Sequence, residues 1–135
     1  RNLVKKNNLD DRIEFIGFVE DMKSFMQSID LFVLTSIWEG FGYVLVEAMA
    51  CNKPVVAFRI SSNPEIISEN VTGFMVEPFD VVLMSEKIIH LIKNKEIREK
   101  MGMEGRKRVE DIFSFNRTVE NVEIMINRLT KTNFS

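Results

Sequence analysis

The stretch Leu31-Phe32-Val33-Leu34-Thr35-Ser36-Ile37-Trp38-Glu39-Gly40-Phe41-Gly42-Tyr43-Val44-Leu45-Val46-Glu47-Ala48-Met49-Ala50-Cys51 decides the fold. Its first four residues are apolar and β-rich, and the run stops at Thr35-Ser36. Two glycines then lead into a segment that reads as helix up to Cys51, and Pro54-Val55-Val56-Ala57-Phe58 is a second β-rich run. Strand, glycine loop, helix and strand make a βαβ unit, with residues 31–34 and 54–58 predicted as adjacent parallel strands. In such a sheet ligands collect at the carboxyl ends of the strands.

The chemistry of the stretch follows from where its glycines and carboxylates fall. Backbone N–H groups at a helix start can approach an anion, and the helix dipole favours negative charge there. Gly40 and Gly42 therefore suit close contact with a phosphate or a sugar ring. Glu39, on the loop, would repel phosphate but accept hydrogen bonds from hydroxyls. Glu47 falls about a turn and a half inside an otherwise apolar helix, where a carboxylate takes the wet face or needs a partner. Two acids around an anion pocket suit a polyhydroxylated anionic ligand such as a nucleotide sugar. The plainer reading has Glu39 capping the helix and Glu47 solvated, and short glycine motifs alone do not separate the two.

The order Ser36-x-x-Glu39-Gly40-Phe41-Gly42, then Glu47-Ala48-Met49-Ala50-Cys51, then Lys53-Pro54-Val55-Val56-Ala57, strongly resembles the retaining nucleotide-sugar glycosyltransferases of the GT-B fold, family four. The likeness extends upstream to Ile13-Glu14-Phe15-Ile16-Gly17-Phe18-Val19. Downstream it takes in Pro64-Glu65-Ile66-Ile67, Thr72-Gly73-Phe74-Met75-Val76 and Phe113-Ser114-Phe115. It matches the carboxyl-terminal, donor-binding domain of that family. The resemblance implies an α/β fold: a Rossmann-like three-layer domain with a parallel sheet, one half of a GT-B fold, over residues 1–135. It implies donor-sugar contacts from Glu39 and from the backbone N–H groups of Phe41, Gly42 and Tyr43. The nucleotide side would use Glu47 on the ribose hydroxyls, Gly40, and the loop at Gly17 and Phe18 against the base, with core packing the alternative for Phe18. No cofactor and no divalent metal are expected, the nucleotide sugar being the substrate.

The same resemblance places an arginine–lysine pair that stabilises the leaving diphosphate, and an amino-terminal acceptor domain, before Arg1. Because the chain begins at Arg1, we expect a fragment of a longer two-domain enzyme. Alone it should bind donor weakly and be inactive. The acceptor would be a saccharide or a lipid-linked one, in glycan or polysaccharide biosynthesis, and the location cytoplasmic with peripheral membrane association allowed. The alternatives are a non-catalytic Rossmann-like interaction module and another GT-B activity, such as a sugar-nucleotide epimerase. The chain departs from the family at Asn52, where a glycine is usual, and at Ser61 and Ser62, where a glycine pair is usual. Asparagine tolerates the left-handed conformation a helix end needs; the serines stiffen a loop that faces the ligand.

Outside that region the chain reads as scaffold. With 135 residues, 45% of them hydrophobic and 28% charged, it can bury a sizeable core as one domain. A net charge of −2 argues against a nucleic-acid partner. One cysteine and one histidine, Cys51 and His90, leave neither an internal disulfide nor a cysteine-based zinc site. No apolar run has the length of a membrane span. Residues 2–9 read as the end of a helix and 13–16 as a short strand ended by Gly17. Asp21 or Glu20 opens a helix with Met22, Phe25, Met26 and Ile29 on its core face. Pro64 starts a short helix containing Glu65, and 73–76 is a strand closed by Pro78. Asp80 caps a helix with Val81, Met84, Ile88, Leu91 and Ile92 on one face. Further helices are expected at 96–101, stopped by Gly102, at 104–111, and after Ser114 with Val119, Val122, Ile126 and Leu129. The charge runs at 93–100 and 104–111 read as solvated faces.

Overall fold

Three short strands, β1 (Phe32–Leu34), β2 (Val55–Phe58) and β3 (Gly73–Val76), form one parallel sheet in the order β1-β2-β3. Phe32 stands opposite Val55, and Val55 opposite Gly73, so the register is continuous across the sheet. This is a computed structural model, and it describes residues 1–38 and 40–113. The expected adjacent parallel pairing of the two β-rich runs is observed. Around the sheet run α1 (Asn2–Lys6), α2 (Met22–Ser28), α3 (Tyr43–Ala50), α4 (Asn63–Ile66), α5 (Val81–Lys93) and α6 (Lys95–Ile112).

All four residues of β2 are buried, as expected of a parallel strand covered on both faces. The two-residue period of the strand divides the core. Val55 and Ala57 pack with Met26 of α2, Leu45, Ala48 and Met49 of α3, and Ile66 of α4. Val56 and Phe58 pack with Phe74 and Val76 of β3 and with Met84 and Leu91 of α5. The result is the three-layer α/β arrangement. In α3 the buried residues fall at steps of three and four along the helix, the spacing that puts them on one stripe. The helix ends at Cys51, and Asn52 turns the chain with a φ of 58° before β2 begins. Asn52 thus takes the left-handed role expected of it. Asp21 and Asp80 cap α2 and α5 by accepting from the N–H groups of Ser24 (3.0 Å) and Leu83 (2.9 Å).

Four expectations are corrected. Residues 13–16 form no strand, and Ile13, Phe15 and Ile16 are exposed. An extended segment becomes a strand only when a ladder partner takes its N–H and C=O groups; here Ile13 N–H donates to the local Leu9 carbonyl and no described strand pairs with the segment. The helices expected on either side of Gly102 are one continuous helix, α6. Gly102 is buried against the Asn52 turn, where an added Cβ would lie 2.7 Å from the Asn52 carbonyl carbon. The glycine permits close approach and does not stop the helix.

On α5, Val81 and Ile92 are exposed, and the buried pair is Met84 and Leu91, flanked by Leu83 and Ile88. Nor are the charge runs wholly solvated. The Arg98 guanidinium donates to the carbonyls of Leu91 (3.0 Å) and Ile92 (3.1 Å). Arg108 donates to those of Ile66 (2.8 Å) and Glu65 (2.7 Å). Both serve helix-end carbonyls that have no intrahelical partner. The helix expected after Ser114 lies outside the described residues.

Candidate functional site

The carboxyl ends of all three strands open on the same side, where the loop into α3, the loop 59–62 after β2 and the turn after β3 meet. Gly42 is the N-cap of α3 and is buried. An added Cβ there would lie 3.0 Å from Leu45 Cδ1, 3.1 Å from Asn63 Oδ1 and 3.3 Å from Ile66 Cδ1. The loop is therefore packed directly onto α4. Of the three backbone donors expected to face a ligand, two are already engaged. Gly42 N–H donates to the Ser62 hydroxyl oxygen at 3.3 Å, and Tyr43 N–H donates to the Phe41 carbonyl at 2.8 Å. The N–H groups of Phe41 and Val44 donate to no described residue. They are the unspent donors of the α3 start, and Val44 was not among the residues singled out from sequence. Its signal is the N-cap itself: once Gly42 caps, Val44 takes the second helical position, whose N–H has no intrahelical acceptor.

The remaining site residues are placed as follows. Gly40 is exposed, with no described residue within 4 Å of an added Cβ. The Phe41 ring packs edge-on against Tyr43 (4.8 Å between centroids) and Phe113 (6.0 Å), leaving the Tyr43 side chain exposed. Glu47 is exposed and makes no hydrogen bond or ion pair with a described residue. It borders a cavity of about 580 Å³ between α2, α3 and α6, which Lys23, Gln27, Cys51 and Arg106 also line. That cavity includes neither the glycine loop nor Gly17 and Phe18, so Glu47 joins the loop through α3 itself and not through a shared pocket. Gly17 has a φ of 68° and Phe18 is 90% exposed, which removes core packing as the account of Phe18. Glu39 lies outside the described residues.

Electrostatically the loop side is not bare. Arg59, just past β2, is held by Glu69 (2.6 Å) and Glu77 (3.4 Å), so its charge is already matched. Ser61 adopts a φ of 45°, and Asn63 is buried with its Oδ1 unpartnered among the described residues. Neither feature was read from sequence. Among the described residues no group of three or more His, Cys, Asp or Glu side chains gathers as a metal site, and no helix is long and apolar enough to cross a membrane.

Comparison with known proteins gives this geometry a family. The family model described as glycosyl transferases group 1 matches residues 1–108. A capsular polysaccharide biosynthesis glycosyltransferase of Staphylococcus aureus is 37% identical over 119 residues, covering 88% of this chain and 31% of its own length. The crystal structure of the carboxyl-terminal domain of a group 1 glycosyl transferase from Francisella tularensis is 33% identical with a TM-score of 0.78, over 84% of this chain and 60% of that one. The Anabaena protein HepE, solved in complex with UDP, is 26% identical with a TM-score of 0.88, over 94% of this chain and 35% of that one. The chain spans about a third of the length of the curated relatives it matches.

Proposed function

The chain belongs to the glycosyl transferases of group 1, and from that premise we propose that it is the donor-binding part of a retaining enzyme that uses a nucleotide sugar. The observation that carries this reading is the start of α3. Its unspent N–H groups stand at the carboxyl ends of three parallel strands, with the unpartnered carboxylate of Glu47 on the same helix. Phosphate oxygens are the natural acceptors for such donors, because the dipole and the N–H groups add. Glu47 then accepts from ribose hydroxyls. Glu39 accepts from the donor sugar, and Gly17 and Phe18 lie against the base. As the glycosidic bond breaks, negative charge grows on the departing diphosphate, and donors aimed at that charge lower the barrier. On this reading the diphosphate needs no divalent metal. The acceptor, a saccharide or lipid-linked saccharide, and the basic pair for the leaving group come from the rest of the parent protein, a cytoplasmic or membrane-peripheral enzyme of glycan synthesis.

An NMR titration with UDP tests this. The amides of Phe41 and Val44 should shift and saturate with UDP, and shift much less with uridine. No movement of these amides at millimolar UDP refutes the reading.

A further inference from the structure

We infer that the Ser62 hydroxyl is a ligand-binding group of this site, carrying the polarity of the buried Gly42 N–H outward to a phosphate oxygen. This rests on the donor-binding reading and deepens it. Ser62 is the N-cap residue of α4, a position where a serine side chain ordinarily accepts from its own helix. Here it makes no such bond. Its Oγ instead accepts from Gly42 N–H, twenty residues away, at 3.3 Å. Gly42 is buried and Ser62 half-buried, so the bond lies at the edge of the core. A serine hydroxyl has one donor besides its acceptor lone pairs. The Ser62 O–H donates to no described residue. A hydroxyl whose oxygen already accepts from an N–H is polarised into a stronger donor.

A second, independent observation marks the place. Asn63 is fully buried, donates through Nδ2 to the Phe58 carbonyl (2.9 Å), and leaves Oδ1 without a described partner against Gly42. Gly42 is thus flanked by the Ser62 hydroxyl and by a buried Asn63 Oδ1 that has no described partner. The hydroxyl, at the half-buried edge of this pair, complements an anionic oxygen such as one of a nucleoside diphosphate.

The test compares wild type, Ser62→Ala and Ser62→Thr in UDP and uridine titrations read by NMR. We expect Ser62→Ala to weaken UDP about tenfold, the effect of one hydrogen bond to a charged group, and to leave uridine unchanged. Ser62→Thr, which keeps the hydroxyl, should recover UDP binding, and an unchanged melting curve for Ser62→Ala separates a lost ligand contact from a loosened loop, which would lower Tm as well. If the alanine variant fails to fold, Ser62→Cys, close in shape but a weak donor, reads the same difference. Equal or tighter UDP binding without the hydroxyl overturns this inference and leaves the donor-binding reading standing. Wild type that does not bind UDP overturns both.

Discussion

Replacing Gly102 by alanine tests how α6 is held against the βαβ unit. An added Cβ would overlap the Asn52 carbonyl oxygen and lie 2.7 Å from the carbonyl carbon. Carbon pairs settle at about 3.5–4.0 Å, so the two backbones must part by about 1 Å. Neither can yield alone. Asn52 is fixed in a left-handed turn between α3 and β2, and Gly102 is interior to an eighteen-residue helix. Overpacking of this kind costs about 1–3 kcal/mol, and a backbone clash belongs at the upper end. Alanine returns about 1 kcal/mol of helix propensity, leaving a net loss of about 2 kcal/mol. With an unfolding entropy of about 2.1 cal/mol/K per residue, that lowers Tm by about 7 °C for a chain of this length.

Gly105, one turn further on, is the control. Its added Cβ would meet Met49 Cγ at 3.3 Å and Cβ at 3.5 Å, so this adaptable side chain has to give by only a few tenths of an ångström. There the propensity gain dominates, and Tm should hold or rise. Circular-dichroism melts of the two variants read the difference directly. A Gly102→Ala variant that melts at or above wild type, or two variants that lose equally, refutes the close-approach account of α6.

Three further outcomes follow from the site and its supports. Glu47→Gln should weaken UDP binding by about 1–3 kcal/mol, the range for losing a charged acceptor, with an unchanged melting curve; unchanged affinity by calorimetry returns Glu47 to a solvated surface role. Gly40→Ala should leave Tm within a degree or two, by the ~0.5 kcal/mol scale of surface changes, while weakening UDP; a large loss of stability contradicts the open space around Gly40. Hydrogen bonds from Ser24, side chain and backbone, hold the Asp21 carboxyl below its ordinary value near 3.8. Its folded pKa is depressed, so the cap's contribution is present above that ordinary value and is lost as pH falls through the lower, folded one. The Ser24 amide shift should therefore titrate with a midpoint below 3.8, and a midpoint at or above it would argue against the cap.

The parts of the fold legible in the sequence are those whose signal is local. Residues 31–34 and 54–58 are apolar runs with turn residues at their ends, and a buried parallel strand needs no more than that. The helix between them announces itself by glycines before and Asn52 after. What stayed hidden depends on partners distant in sequence. Residues 13–16 carry strand-like composition, but composition cannot supply a ladder, and without one Phe15 lies exposed with the Arg1 guanidinium 5.2 Å from its ring centroid. Arg98 and Arg108 look like members of solvated charge runs. Only the return of α6 past the ends of α5 and α4 gives them carbonyls to serve. Gly102 reads as a stop because propensity is a local quantity, whereas its neighbour Asn52 is fifty positions away.

The glycine loop divides in the same manner, and the division bears on what it does. Gly42 sits tightly among Leu45, Asn63 and Ile66, whose side-chain ends would each have to give by a few tenths of an ångström to admit a Cβ. Its smallness seats α3 on α4 and says nothing by itself about a ligand. Gly40 has no described neighbour within 4 Å of an added Cβ. On the donor-binding proposal a glycine there leaves room for the backbone to approach a ligand closely. The sequence pairs the two glycines as one motif, but the packing separates them. One is structural. The other lies in the same loop as the Phe41 and Val44 N–H groups, which donate to no described residue, near the Ser62 hydroxyl and the carboxyl ends of the strands, and on the donor-binding proposal that is the side a ligand would meet.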